Sequence, residues 1–250
     1  MDVAVATFGL GTLCVTAAGI GLVHTLLGPD HYVPFIAMAR AGRWSIRRTL
    51  VITVLCGLGH VGSSVVLGLI GIAVGAAVFK LEAIEAVRGD LAGWLLLAFG
   101  LAYLAWGIRR AIRNRPHTHW HAHADGTVHT HPHAHRGDHV HVHDGAATAP
   151  EADSTTHERM TPWILFTVFV FGPCEPLIPL VMMPAANHDA WGVVAVTLVF
   201  GVITVATMTA IVAGAWAGVG RLRLGRFERY SHALAGGLLT ACGVAVLLGL

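Results

Sequence analysis

Long apolar stretches separated by short polar or basic segments set the pattern of this chain. They cover about 3–39, 49–79, 91–108, 162–186, 190–219 and 232–250. A helix rising ~1.5 Å per residue crosses a hydrocarbon core of ~30 Å in about 20 apolar residues, so the pattern predicts six membrane helices. Stretch 3–39 is too long for one straight crossing, because as helix it would run about 55 Å. It carries its own interruption at Gly28-Pro29, in HTLLGPDHYVP. Proline removes a backbone donor and crowds the preceding turn, and the adjacent glycine loosens the helix further.

The fourth stretch has the same punctuation in VFVFGPCEPLIPL, where Gly172-Pro173 follows Gly28-Pro29 by 144 residues. Two further segments repeat at nearly that offset. LAGWLLLAFGLA (91–102) aligns with LAGGLLTACGVA (234–245), with eight identities in twelve positions, and TVLCG (53–57) aligns with TLVFG (197–201). The three matches in order point to a duplicated unit. Each unit holds an odd number of spans, so the second is expected to lie inverted in the membrane, a recurring transporter plan in which substrate binds near broken helices. The expected fold is all-α: six transmembrane helices as two inverted three-helix repeats, the first and fourth broken at Gly-Pro. Residues 1–112 would form the first repeat, 113–161 a polar loop, and 162–250 the second repeat.

Composition agrees with a membrane chain. Hydrophobic residues make up 55 % of it and charged residues 12 %, about half the charged share of a soluble domain. This excludes an ordinary cytosolic enzyme, a disordered chain and a nucleic-acid binder; the lipid bilayer is the expected surrounding. Basic residues cluster at Arg40, Arg43, Arg47 and Arg48, at Arg109, Arg110, Arg113 and Arg115 with Arg136 and Arg159 beyond, and at Arg221, Arg223, Arg226 and Arg229. Basic loops stay cytoplasmic. The clusters follow spans one, three and five, so the 113–161 loop is expected inside and both termini outside. Lys80 and Arg88 share a predicted loop with Glu82, Glu85 and Asp90. The N-terminal MDVAVATFGL lacks the basic region of a signal peptide and is expected to belong to the mature protein. Cys14, Cys56 and Cys242 fall in apolar runs and read as small buried hydrophobes.

Ionisable groups inside a bilayer are costly and point to function. Asp30 and His31 follow the first break, with His24 about two turns earlier. Cys174 and Glu175 follow the second. In the repeat alignment Asp30 pairs with Cys174 and His31 with Glu175. His60 lies in GLGHVGSS between Gly59 and Gly62, which permit close helix approach; its aligned partner is Thr204, with Thr207 and Met208 nearby, positions that suit packing. Each group alone has a structural explanation, such as a helix kink, a cap or a carbonyl-bonded histidine. Their convergence on two matching breaks favours a site. Imidazole, carboxylate and thiolate form a borderline-soft set that suits nickel, cobalt, zinc or iron over sodium, potassium or magnesium. No enzymatic chemistry and no resident cofactor are expected; the metal would be cargo.

The loop HTHWHAHADGTVHTHPHAHRGDHVHVH (117–143) holds eleven of the 17 histidines: His117, His119, His121, His123, His129, His131, His133, His135, His139, His141 and His143. Spacing of two puts neighbouring imidazoles on one side of an extended chain. Such a tract chelates divalent ions through interchangeable modes, and the loop is expected to stay disordered until metal binds. His157, His188 and His232 read as surface or interface residues.

These motifs resemble the nickel/cobalt transporter superfamily, in particular its six-span nickel/cobalt efflux and UreH-like membrane protein branches. The family's H-x4-D-H signature compares with His24-x5-Asp30-His31 here, one residue longer. Its glycine-histidine pair followed by small residues compares with LGHVGSSVV at His60, and its Pro-Cys element with Pro173-Cys174. The resemblance implies His24, Asp30, His31 and His60 as metal-site residues in a bacterial inner-membrane transporter, to which the repeat alignment adds Glu175. A homo-oligomer is compatible with the sequence. Two alternatives stay open: a sulfite-exporter-like anion carrier, and a transmembrane thiol-disulfide reductase, whose chemistry needs two cysteines.

Overall fold

The computed structural model describes the backbone of residues 3–75, 78–113, 117–122, 128–133, 154–219 and 225–249, and the side chains of 9–75, 78–113, 162–218 and 228–249. Helix α1 (Val3–Leu27) stops at Gly28 and is followed by a 3-10 turn (Pro29–His31), α2 (Val33–Ala41), α3 (Ile46–Ala73) and α4 (Val78–Arg113). Two short strands, β1 (His117–Ala122) and β2 (Val128–His133), precede α5 (Ser154–Phe171), α6 (Leu177–Ala186) and α7 (Ala190–Val219). A second 3-10 turn (Gly225–Tyr230) leads into α8 (Ser231–Leu247).

Five helical stretches, 9–27, 46–73, 78–113, 190–218 and 228–247, are long and apolar enough to cross a membrane. The chain is a helical, multi-pass membrane protein. The predicted fourth span, 162–186, is divided into two shorter apolar helices, α5 and α6, on either side of Gly172-Pro173.

The burial pattern explains how these helices pack. Along α3 the buried positions are Thr49, Thr53, Cys56, Gly57, His60, Val61, Ser64, Gly68 and Gly71, spaced three and four apart on one helical face. Val51, Leu55, Leu58, Val66, Leu69 and Ile70 are exposed. Small and polar groups face inward and large apolar groups outward, the reverse of a soluble helix. The N-terminus of α3 is capped by Ser45, whose Oγ accepts from Arg48 N–H at 3.3 Å.

One predicted loop is a helix. Lys80, Glu82, Glu85, Arg88 and Asp90 lie within α4, which begins at Val78 rather than near 91. Its buried positions run Leu81, Glu85, Gly89, Ala92, Gly93 and Leu96. The inward stripe of the span therefore continues back through the charged segment without changing period. The 113–161 loop shortens at its other end, since α5 begins at Ser154 and takes Pro162 within it.

Helix α1 packs along α7, α3 against α5 and α7, α2 against α8, and α6 against α7 and α3. The most extensive contact joins α4 and α8. Glycines make it possible: a Cβ at Gly100 would strike the backbone of Thr240, one at Gly107 that of Ala233, one at Gly236 that of Leu104, and one at Gly243 that of Leu97. The two helices run antiparallel, backbone against backbone. Gly93 and Gly100 on α4 align with Gly236 and Gly243 on α8, so the strongest internal sequence match is the contact seam itself.

Close packing here has a measurable consequence. Gly236→Val is expected to cost about 1–3 kcal/mol through overpacking and to lower the melting temperature of the detergent-solubilised protein. Gly237→Val, where an added Cβ meets nothing within 4 Å, should leave the melt in place. Equal melts for both would contradict the seam.

Candidate metal centre

Both Gly-Pro breaks deliver side chains to one place. Pro29 cannot donate, and the chain turns through His31 N–H to Gly28 O at 3.1 Å and Tyr32 N–H to Pro29 O at 3.3 Å. This short turn swings His31 back toward His24, in the last turn of α1, with ring centroids 4.6 Å apart. His60 comes from the inward face of α3, its ring centroid 5.0 Å from that of His31 and 6.3 Å from that of His24. One ligand nitrogen from each of the three lies within 4.8 Å of the other two.

The glycines of the breaks make room for these rings. A Cβ at Gly28 would sit 2.6 Å from His31 Nδ1, and one at Gly172 would sit 3.0 Å from His60 Nδ1. Each glycine forms the floor under an imidazole.

The hydrogen bonds orient the rings. His31 Nδ1 faces Asp30 Oδ1 at 3.1 Å and Gly28 O at 3.2 Å. His60 Nδ1 faces Phe169 O at 3.3 Å. These partners are acceptors, which assigns the ring proton to Nδ1 in both residues and leaves Nε2 with its lone pair. His31 and His60 are 3 % and 2 % exposed, and neither Nε2 has a hydrogen-bond partner among the described residues. A buried polar atom without a partner costs about 1–3 kcal/mol, so two orphans beside a third imidazole make a candidate cation site. Asp30 stands behind His31 in the carboxylate–histidine arrangement common around bound metals. In such an arrangement the carboxylate would orient the ring and not touch the ion itself.

Cys174 follows the second break, fully buried, with Sγ 4.0 Å from His24 Nε2. It stands beside His24 but outside the group of three histidines whose ligand atoms lie within 4.8 Å of one another, so it would have to move inward to serve as a fourth ligand. Nitrogens about 2.0–2.1 Å from a tetrahedral ion lie about 3.3 Å apart. The three imidazoles would thus draw in by up to about 1.5 Å on ligation.

Other sequence-selected residues fall elsewhere. Glu175 is exposed and outside the three-histidine group. Thr204 is buried on α7, and Met208 packs in the apolar core with Cys56 and Cys242. His188 is exposed, while His232 meets Tyr103 Oη at 2.8 Å and the Trp106 ring. Of the histidine-rich loop, β1 and β2 pair antiparallel, with His117 opposite His133, His119 opposite His131 and His121 opposite His129. Histidine at every second position is a strand pattern. His123, His135, His139, His141 and His143 lie outside the described residues.

Sequence reasoning missed Glu85 and Arg88. Glu85 is the one carboxylate without exposure among the described residues. It pairs with Arg88, and its Oε2 accepts from Cys174 N–H at 3.1 Å. The signal was present in the period of Leu81, Glu85, Gly89, Ala92 and Leu96, which puts Glu85 on the inward stripe of an apolar helix.

If Asp30 fixes the His31 ring, Asp30→Asn should weaken Co(II) or Zn(II) binding by about 10–100-fold without unfolding the protein. Isothermal titration of the purified protein checks this; unaltered affinity would remove Asp30 from the centre. No family model, curated protein or solved structure matches this chain, so the site is read from its own geometry.

Proposed function

We propose that the protein carries divalent transition-metal ions across a membrane, binding them between His24, His31 and His60 with Cys174 completing the shell. The observation that carries this reading is the pair of buried, partnerless Nε2 atoms of His31 and His60 beside His24. Neutral imidazoles with one thiol suit nickel, cobalt, zinc and iron. A four-coordinate His and Cys set favours cobalt and zinc geometrically. Nickel and cobalt are the ions suggested by the family resemblance. The cargo arrives with its own charge, which the thiolate and the Asp30–His31 pair offset.

Alternating access by two inverted halves fits this reading. Taking α5 with α6 as a sixth, broken span gives each half one broken and two long helices. Exchanging α1 with α5, α2 with α6, α3 with α7 and α4 with α8 turns the α1–α7 contact into α5–α3, and α2–α7 into α6–α3; all four contacts exist. In this arrangement the arginine clusters and the histidine-rich loop lie in the cytoplasm of a bacterial cell, both termini lie outside, and the loop gathers ions for the centre.

The alternatives fare less well. An anion carrier needs free positive charge at the breaks. Arg88 stands at the second one, yet its guanidinium is committed to Glu85, Ser63 Oγ and Val170 O. Thiol-disulfide exchange needs a second cysteine beside Cys174, whose neighbours are His24 and Glu85.

Cells expressing the protein should differ from control cells in nickel, cobalt or zinc content, and His31→Ala or His60→Ala should abolish the difference. Mass-spectrometric metal analysis checks this; contents independent of both residues would refute the transport reading. Deleting 117–143 should leave transport measurable while changing its dependence on metal concentration. Complete loss would mean that the primary site lies in the loop.

A further inference from the structure

The second break holds a charge pair that the three histidines do not explain. A helix continued through this point would join Cys174 N–H to Val170 O, four residues back. The two groups instead have side-chain partners. Cys174 N–H donates to Glu85 Oε2 at 3.1 Å, and Val170 O accepts from Arg88 Nη2 at 2.8 Å. Glu85 and Arg88 are bonded to each other across one turn of α4. The pair therefore sits between the separated donor and acceptor and replaces the missing bond with a chain of three links.

The same turn of α4 grips the break in other ways. Arg88 Nη2 also donates to Ser63 Oγ at 2.6 Å and reaches Gly172 O at 3.5 Å. Ser64 Oγ donates to Glu85 Oε2 at 3.2 Å. One residue on, a Cβ at Gly89 would meet Pro173 Cγ at 2.8 Å, so glycine there admits the proline ring. What hangs from the clasped backbone is the metal centre. On one side Phe169 O receives the His60 Nδ1 proton, and on the other Cys174 places its thiol near His24.

We propose that Glu85 and Arg88 are positioning residues of the metal centre, standing in as a pair for the helical bond missing at the second break and so setting where Cys174 and His60 meet the ion. This rests on the metal reading of the histidine cluster. At the first break the 3-10 turn closes on backbone groups, His31 N–H to Gly28 O and Tyr32 N–H to Pro29 O. Glu228, which corresponds to Glu85 in the α4–α8 alignment, is bonded at the surface to Arg43 at 3.0 Å. At the second break a charge pair lies between the separated backbone groups.

The test uses purified full-length protein in lipid nanodiscs, titrated with Co(II) and followed by absorption. Ligand-field bands report imidazole ligation, and a thiolate-to-cobalt charge-transfer band reports Cys174. Removing one charge alone would strand the other in the interior, so the informative variant is Glu85→Gln/Arg88→Gln, with melting without metal as the fold control. The expected result is Co(II) binding at least about tenfold weaker, with the thiolate band lost and the imidazole bands kept. Glu85→Asp keeps both charges and shortens the arm; it covers the case in which the double variant does not fold, and its thiolate band should weaken likewise. An unaltered affinity and thiolate band in the folded variant would overturn the positioning role and leave the metal reading standing. Cobalt bound by the unaltered protein without a thiolate band would also overturn it. No cobalt binding by the unaltered protein would overturn both.

Discussion

A backbone N–H or C=O that loses its helical partner inside a membrane has no water to replace it. The two Gly-Pro breaks create such groups, and the interior is arranged around satisfying them. The first break closes on itself through a 3-10 turn, helped by Tyr32 Oη donating to Leu26 O at 3.3 Å. The second, opening between Phe171 and Leu177, draws on Glu85, Arg88 and His60 from two other helices. A fully buried carboxylate, its arginine partner and one of the three central imidazoles are thus tied to the same local defect. A metal centre assembled there uses groups that the backbone already requires.

The remaining helices serve this arrangement by approaching closely. Apolar bulk turned outward cannot drive helices together in lipid, so contact area and hydrogen bonds must do it. Between α4 and α8 the contact is made by glycines on both partners. Bringing α4 close to its neighbours also brings Glu85 and Arg88 to the second break, which joins the packing of the molecule to the geometry of its site.

Much of this was legible in the sequence. Gly-Pro marks both breaks because proline has no donor, a fact that packing cannot alter. His24, His31 and His60 stood out because imidazole is expensive in an apolar run. The matching segments 91–102 and 234–245 spoke in the sequence only for a duplicated unit; that they face each other as the α4–α8 seam became visible in the structure, where close backbone contact restricts both sides to small residues at the same spacing. Three-dimensional partnership was harder to read. Glu85 and Arg88 looked like loop charges because their acidic and basic neighbours suggested exposure, and only the inward stripe of α4 separates them from Glu82 and Asp90. Glu175 was selected by alignment to His31, yet the residue beside it, Cys174, is the one turned inward. Asp30 lies next to the imidazoles as expected, but behind the ring, a distinction that depends on the turn at Pro29 and not on spacing.

Gly28 and Gly172 are each both a bend in the chain and the surface on which a histidine ring rests. Rotation of the backbone at either glycine changes the space open to the imidazole above it. The hydrogen in place of a side chain at each position thus serves two ends at once, a turn in the backbone and a seat for a ring that a Cβ would displace.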